Sequence, residues 1–117
     1  MTGKSRAQFR LRIRRGDDIA LGPGKVDLLE AIAKTGSITA AARSLRMSYR
    51  RAWLLVDTMN RSFTKPVVEA ESGGRRGGGT RLTSTGAEAV RRYRRIEVQA
   101  SRASATEMRA LLKLVRG

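Results

Sequence analysis

The sequence contains no cysteine and no histidine. Their absence excludes disulfides, thiol nucleophiles, Cys/His zinc sites and imidazole acid–base chemistry from this chain. A chain without cystine also fits a reducing, cytoplasmic compartment. Aromatic residues are scarce, with one Trp, two Tyr and two Phe, too few for a sheet platform of the kind that stacks RNA bases. No apolar run approaches the ~18 residues a membrane helix needs, so no membrane partner is expected. The opening MTGKSRAQFR lacks the apolar core of a secretory signal. It is Arg-rich and acid-poor like a transit peptide, but the patterned residues that follow it read as structure.

Acidic residues are also few. Ten Asp and Glu face 25 Lys and Arg, leaving a formal net charge of +15. Such self-repulsion does nothing for a fold and points to a polyanionic partner, with double-stranded DNA ahead of an anionic membrane surface. At 117 residues the chain fits one domain with one core.

Residues 1–8 read as a mobile basic tail, and residues 9–117 as a single domain. Phe9, Leu11 and Ile13 alternate with Arg10, Arg12 and Arg14, the period of a strand with an apolar face and a cationic one. Gly22-Pro23 starts a helix whose stripe is Leu28, Leu29, Ile32 and Ala33, stopped by Gly36. Ser37 caps a short second helix carrying Ile38, Ala41, Ala42 and Leu45 at helical spacing. After a tight turn at Arg46-Met47, Ser48 caps a third helix from about Tyr49 to Arg61. Pro66 ends helical structure, and strands at 67–71 and 80–83 flank the loop SGGRRGGG. Thr85-Gly-Ala-Glu88 reads as a capping box opening a long helix, about 86–114, and Ser104-x-x-Glu107 as a second box at which that helix can break. Unbroken, it would be ~43 Å long.

The fold class is therefore mainly α with a small β-hairpin: a winged helix-turn-helix plus a long C-terminal dimerisation helix. The helix-turn-helix occupies about 37–61 and the wing about 67–83. Ala40, Ala41 and Ala42 allow two helices to cross closely, as that motif requires. Between Glu30 and Asp57 there is no acid, while Lys34, Arg43, Arg46, Arg50 and Arg51 are all basic. A merely solvated helical hairpin usually mixes signs to form ion pairs, so the motif reads as DNA-facing. A helical wheel places Ala52, Leu55, Val56, Met59 and Phe63 inward and Arg50, Leu54 and Asp57 outward. Arg51 and Thr58 fall on one flank, Tyr49 and Trp53 on the other. The N-terminal turn of a recognition helix reaches base edges, which singles out Ser48, Tyr49, Arg50 and Arg51. An arginine there either donates twice to guanine or holds a phosphate.

The glycine loop does not fit a nucleotide cradle. A Walker pattern begun at Gly73 has Gly79 where lysine is required, and the loop returns into a strand instead of opening a helix. No enzyme activity is expected. Arg75 and Arg76 at the tip, with Arg81 on the returning strand, suit a wing that enters a minor groove or clasps phosphates. On the last helix, Ala89, Tyr93, Ile96, Ala100 and Ala103 form a heptad-like seam that would meet its own copy in a two-fold dimer. The competing reading is that the first half of this seam covers the domain's own core.

GPGKVDLLEAIAKTGSITAAARSLRMSYRRAWLLVDTMN, then VVEAESGGRRGGGTRLTSTG, resembles the amino-terminal DNA-binding domain of the molybdate-dependent transcriptional regulator family (ModE type). SYRRAW with its downstream DTMN, and the glycine-rich wing ending in LT-x-x-G, are the most specific parts. GSITAAA is shared with LysR-type regulators. The resemblance implies a winged-helix homodimer that binds a two-fold operator and acts as repressor or dual regulator of genes for molybdate uptake or molybdenum enzymes. Members that sense molybdate carry a further carboxyl-terminal oxyanion-binding region. With the chain ending at Gly117, no cofactor and no direct molybdate binding are expected of it. The alternatives are a nonspecific basic nucleic-acid-binding or architectural protein, or a LysR-like winged-helix regulator unrelated to molybdate.

Overall fold

A hairpin opens the structure, a computed structural model that describes residues 3–71 and 79–116. Strand β1 (Ile13–Arg15) pairs antiparallel with β2 (Asp18–Leu21). Gly16, at φ 60°, begins the two-residue connection in a region that favours glycine. This corrects the expected strand over 9–14. Pairing starts only at Ile13, because β2 is four residues long and runs straight into a helix, leaving residues 9–12 no partner. β2 itself was not anticipated, although Gly16-Asp17 before the alternating Ile19 and Leu21 is a hairpin signature.

Three helices follow. Helix α1 (Pro23–Thr35) has proline at its first position and closes on Gly36 at φ 74°, whose N–H returns to the Ile32 carbonyl at 2.8 Å. Helix α2 (Ile38–Ser44) is capped by Ser37, whose hydroxyl accepts from the Ala40 N–H at 3.0 Å. Helix α3 (Tyr49–Ser62) is capped likewise by Ser48, accepting from the Arg51 N–H at 3.1 Å. Between α2 and α3 the chain turns through Arg46 at φ 57°, and the Met47 N–H reaches back to the Ala42 carbonyl at 3.0 Å. Ala41, Ala42 and Ala52 are buried where the helices meet, the close approach that their small side chains permit.

Strand β3 (Val68–Glu71) pairs antiparallel with β4 (Gly79–Leu82). Two anchors fix this second hairpin to the helices. Asn60 on α3 donates from Nδ2 to the Val68 carbonyl and accepts on Oδ1 from the N–H groups of Val67 and Val68. The Thr80 N–H donates to the carbonyl of Gly36 at 2.9 Å. The core between these elements is Val26, Leu28, Leu29, Ile32, Met59, Val67 and Tyr93, each almost wholly removed from water. Each such side chain stabilises the fold by about 1.5–3 kcal/mol.

The long C-terminal helix departs from expectation in two places. Helix α4 (Ser84–Ala103) is capped by Thr83, not Thr85. The Thr83 N–H is committed to the Val67 carbonyl and its hydroxyl donates to the Pro66 carbonyl while accepting from the Gly86 N–H. The helix therefore starts two residues early, the capping box never forms, and Glu88 pairs with Arg92 at 2.7 Å instead. At Ser104 the helix does break, and α5 (Ala105–Leu112) resumes. The second box is also absent: the Ser104 hydroxyl donates backward to the Ala100 carbonyl and caps nothing. α4 alone spans ~30 Å, shorter than the unbroken helix considered above.

Candidate nucleic-acid interface

The site is organised by α3. Ala52, Val56 and Met59 point into the core, so helical periodicity turns Arg50, Leu54 and Asp57 outward. Arg50 and Arg51 are exposed, and among the described residues neither enters an ion pair. Tyr49 is 53 % exposed beside them, and Ser48, although its hydroxyl is engaged in capping, is also exposed. All four residues expected at the tip of the recognition helix thus lie together at its N-terminal turn. Lys34, Arg43 and Arg46 are exposed as well, so the acid-free run of the sequence is a cationic surface in three dimensions. Trp53, on the flank it shares with Tyr49, is nearly half exposed.

The flanks of α3 meet different elements. Asn60, which shares a flank with Tyr49 and Trp53, holds β3, so the wing stands on that side. The other flank, carrying Arg51, Leu55 and Thr58, borders the N-terminal hairpin and the start of α1. Arg75 and Arg76, the expected wing-tip contacts, lie outside the described residues. Arg81 is exposed at the base of the wing, where it is bound to Glu69 across the strands at 2.9 Å. An exposed pair of this kind is weak and exchangeable.

On the C-terminal helix the expected seam divides. Tyr93 is only 2 % exposed and forms part of the core, and Ala89 packs against that core. These two positions are thereby removed from any surface of α4, for the reason the competing reading gave. Ile96 is 45 % exposed, Ala100 is half-buried and Ala103 is exposed. Ile96 and Ala100 line an apolar groove of about 200 Å³ with Phe9 and Leu11. Arg94, one of four arginines around Tyr93, is fully committed: it binds Asp27 and Glu30 of α1 and Glu97 of α4 at 2.6–2.9 Å. These carboxylates raise its already high pKa further, chiefly through the Glu30 hydrogen bond. Sequence reasoning missed this hub because two of its three acids, Asp27 and Glu30, lie more than sixty residues away along the chain.

Among the described residues, no group of three or more His, Cys, Asp or Glu is placed to hold a metal ion. Among the described residues, no helix is long and apolar enough to cross a membrane.

Three helices with an exposed cationic third member, followed by an antiparallel hairpin docked beside it, define a winged helix-turn-helix protein of the DNA-binding regulator class. The chain belongs to the bacterial regulatory helix-turn-helix protein family of lysR type, whose profile matches residues 24–87, more than half its length.

It is 42 % identical over 94 residues to the molybdenum transport protein ModE of Azotobacter vinelandii, covering 79 % of this chain and 35 % of that protein. It is 45 % identical over 76 residues to the molybdenum-pterin-binding protein MopA of Rhodobacter capsulatus, covering 65 % and 29 %. The DNA-binding transcriptional dual regulator ModE of Escherichia coli K12 is 32 % identical over 87 residues, covering 74 % and 33 %. The chain thus spans about a third of the length of these curated relatives. Among solved structures, a CbnR_DBD–DNA complex superposes with a TM-score of 0.56 at 23 % identity, covering 75 % of this chain and 95 % of the other, a likeness of fold.

Proposed function

We propose that the chain binds double-stranded DNA in a sequence-dependent manner and regulates transcription as a homodimer on a two-fold operator. The observation that carries this is the outward, unpaired placement of Arg50 and Arg51 on the capped first turn of α3. That turn is the part of a recognition helix which reaches base edges in the major groove. One bidentate arginine–guanine contact discriminates by about 1–3 kcal/mol, while Arg75, Arg76 and Arg81 add wing contacts. The part of the seam left outside the core, Ile96, Ala100 and Ala103, brings two copies together, aided by the apolar groove beside Phe9 and Leu11. Two recognition helices then enter major grooves ~34 Å apart. Selection of bound duplexes from a random pool tests this reading: a two-fold consensus is expected, and recovery of unrelated sequences opposes it.

Two signals compete for the regulated genes. Family membership of lysR type favours a regulator with no tie to molybdate. The names of the relatives, and the SYRRAW and LT-x-x-G segments, favour control of molybdate transport or molybdenum-enzyme genes. Mapping of bound genomic sites with and without molybdate separates them: occupancy that responds at molybdenum genes supports the second reading, and sites elsewhere support the first.

A further inference from the structure

Arg12, which belongs to neither the wing nor α3, lies against the start of α1: a Cβ placed on Gly22 would meet its Cγ at 3.5 Å. With Lys25 and Arg51 it lines a groove of about 510 Å³ between the N-terminal hairpin, the first turn of α1 and one flank of α3. From the geometry of this groove we propose that it takes one sugar–phosphate strand of the DNA duplex, held by Arg12, Lys25 and Arg51. The proposal rests on α3 being the recognition helix.

The first argument is positional. A helix seated in a major groove is bordered by a phosphate strand on each side. The Asn60 flank of α3 already faces the wing, which serves one strand. The opposite flank, with Arg51, Leu55 and Thr58, opens onto this groove, whose other walls bring Arg12 and Lys25 to the side of the second strand. From Arg51 to Thr58 the wall runs about 10 Å along the helix, which makes it a channel suited to a strand and not a point site for a small ion.

Charge and donor supply agree. Lys25 is fixed by donating to the Ile19 carbonyl, which leaves its remaining ammonium protons for another acceptor. α1 opens at Pro23 after Gly22, has no side-chain cap and no acid in its first turn, so its positive dipole end adds to the cations. Asp17 and Asp18 on the rim oppose them.

Binding to the duplex selected above is measured across a salt series, with thermal melting to verify folding. For Arg12→Ala the slope of log affinity against log salt is expected to become shallower by about 0.9. Affinity for the selected and a shuffled duplex should fall by the same factor, since phosphate contacts position without specifying. Arg12→Lys should keep the slope. Asp17→Asn with Asp18→Asn should raise affinity for both duplexes. Arg102→Ala, at the end of α4 and away from the groove, should leave the slope alone. A steep wild-type slope that Arg12→Ala does not change, a loss in Arg12→Lys equal to that in Arg12→Ala, an equal loss in Arg102→Ala, or unchanged or weaker binding by the double Asn variant would each overturn the channel and leave the recognition helix standing. Absence of salt-dependent duplex binding by the wild type would instead remove both.

Discussion

The Tyr93 hydroxyl donates to the Leu11 carbonyl at 2.8 Å, joining residues 82 positions apart. This bond ties α4 to the segment ahead of β1. The ring supplies the apolar part of the junction and the hydroxyl satisfies a carbonyl that no strand partner reaches. Tyr93→Phe keeps the ring and should lower stability by about 0.5–1.5 kcal/mol in denaturant unfolding. No loss would mean that the Leu11 carbonyl finds water equally well.

Gly86 lets the first turn of α4 lie directly against the Val67 backbone. A Cβ there would lie 2.1 Å from the Val67 carbonyl oxygen, at the junction where Thr83 and Val67 hold the wing to α4. Gly86→Ala should destabilise by about 1–3 kcal/mol despite its favourable helix propensity. A thermal midpoint at or above wild type would show that α4 can shift without cost.

Glu30 is held below the usual carboxylate range, first by its hydrogen bond from Arg94, with burial opposing and the Arg94 charge assisting. A carboxylate whose pKa falls on folding adds stability above its unfolded value, near 4.3, and loses that stability as pH falls through the lower folded value. Arg94→Gln should therefore lower the melting temperature near pH 7, with a difference from wild type that shrinks at acid pH. Both side chains are over a third exposed, so the effect is modest and salt-screened. A difference independent of pH would assign Arg94 a packing role only.

Ile96 stands on the exposed part of the seam, beside the groove lined by Phe9 and Leu11. Ile96→Glu would place a charge opposite its own copy across a two-fold axis. Sedimentation should show dimers for the wild type and monomers for the variant, with weaker operator binding once the two half-sites are no longer linked. Persistence of the dimer would move the interface elsewhere.

Local signals were the legible ones. Ser37 and Ser48 at helix starts, Pro23 at a first position and Gly36 at a stop each act within a few residues, and all took the expected roles. The wheel of α3 was legible because Ala52, Val56 and Met59 share one side whatever lies above them. Long-range competition was not legible. Thr85 lost the α4 cap because Thr83 was already drawn in by Pro66 and Val67, and Phe9 lost its strand because β2 was short. Tyr93 read as a seam residue for the same reason: spacing identifies a stripe but not which body covers it.

What most needs testing is the proposal that Arg50 or Arg51 reads sequence from the first turn of α3. Its most direct measurement is equilibrium competition between the selected operator and a shuffled duplex at physiological salt, for the wild type, Arg50→Ala and Arg51→Ala. The account predicts a wild-type preference on the order of a thousandfold or more, with at least one variant losing roughly ten- to a hundredfold of that preference. Equal wild-type affinity for both duplexes, or a preference untouched by either substitution, would contradict it.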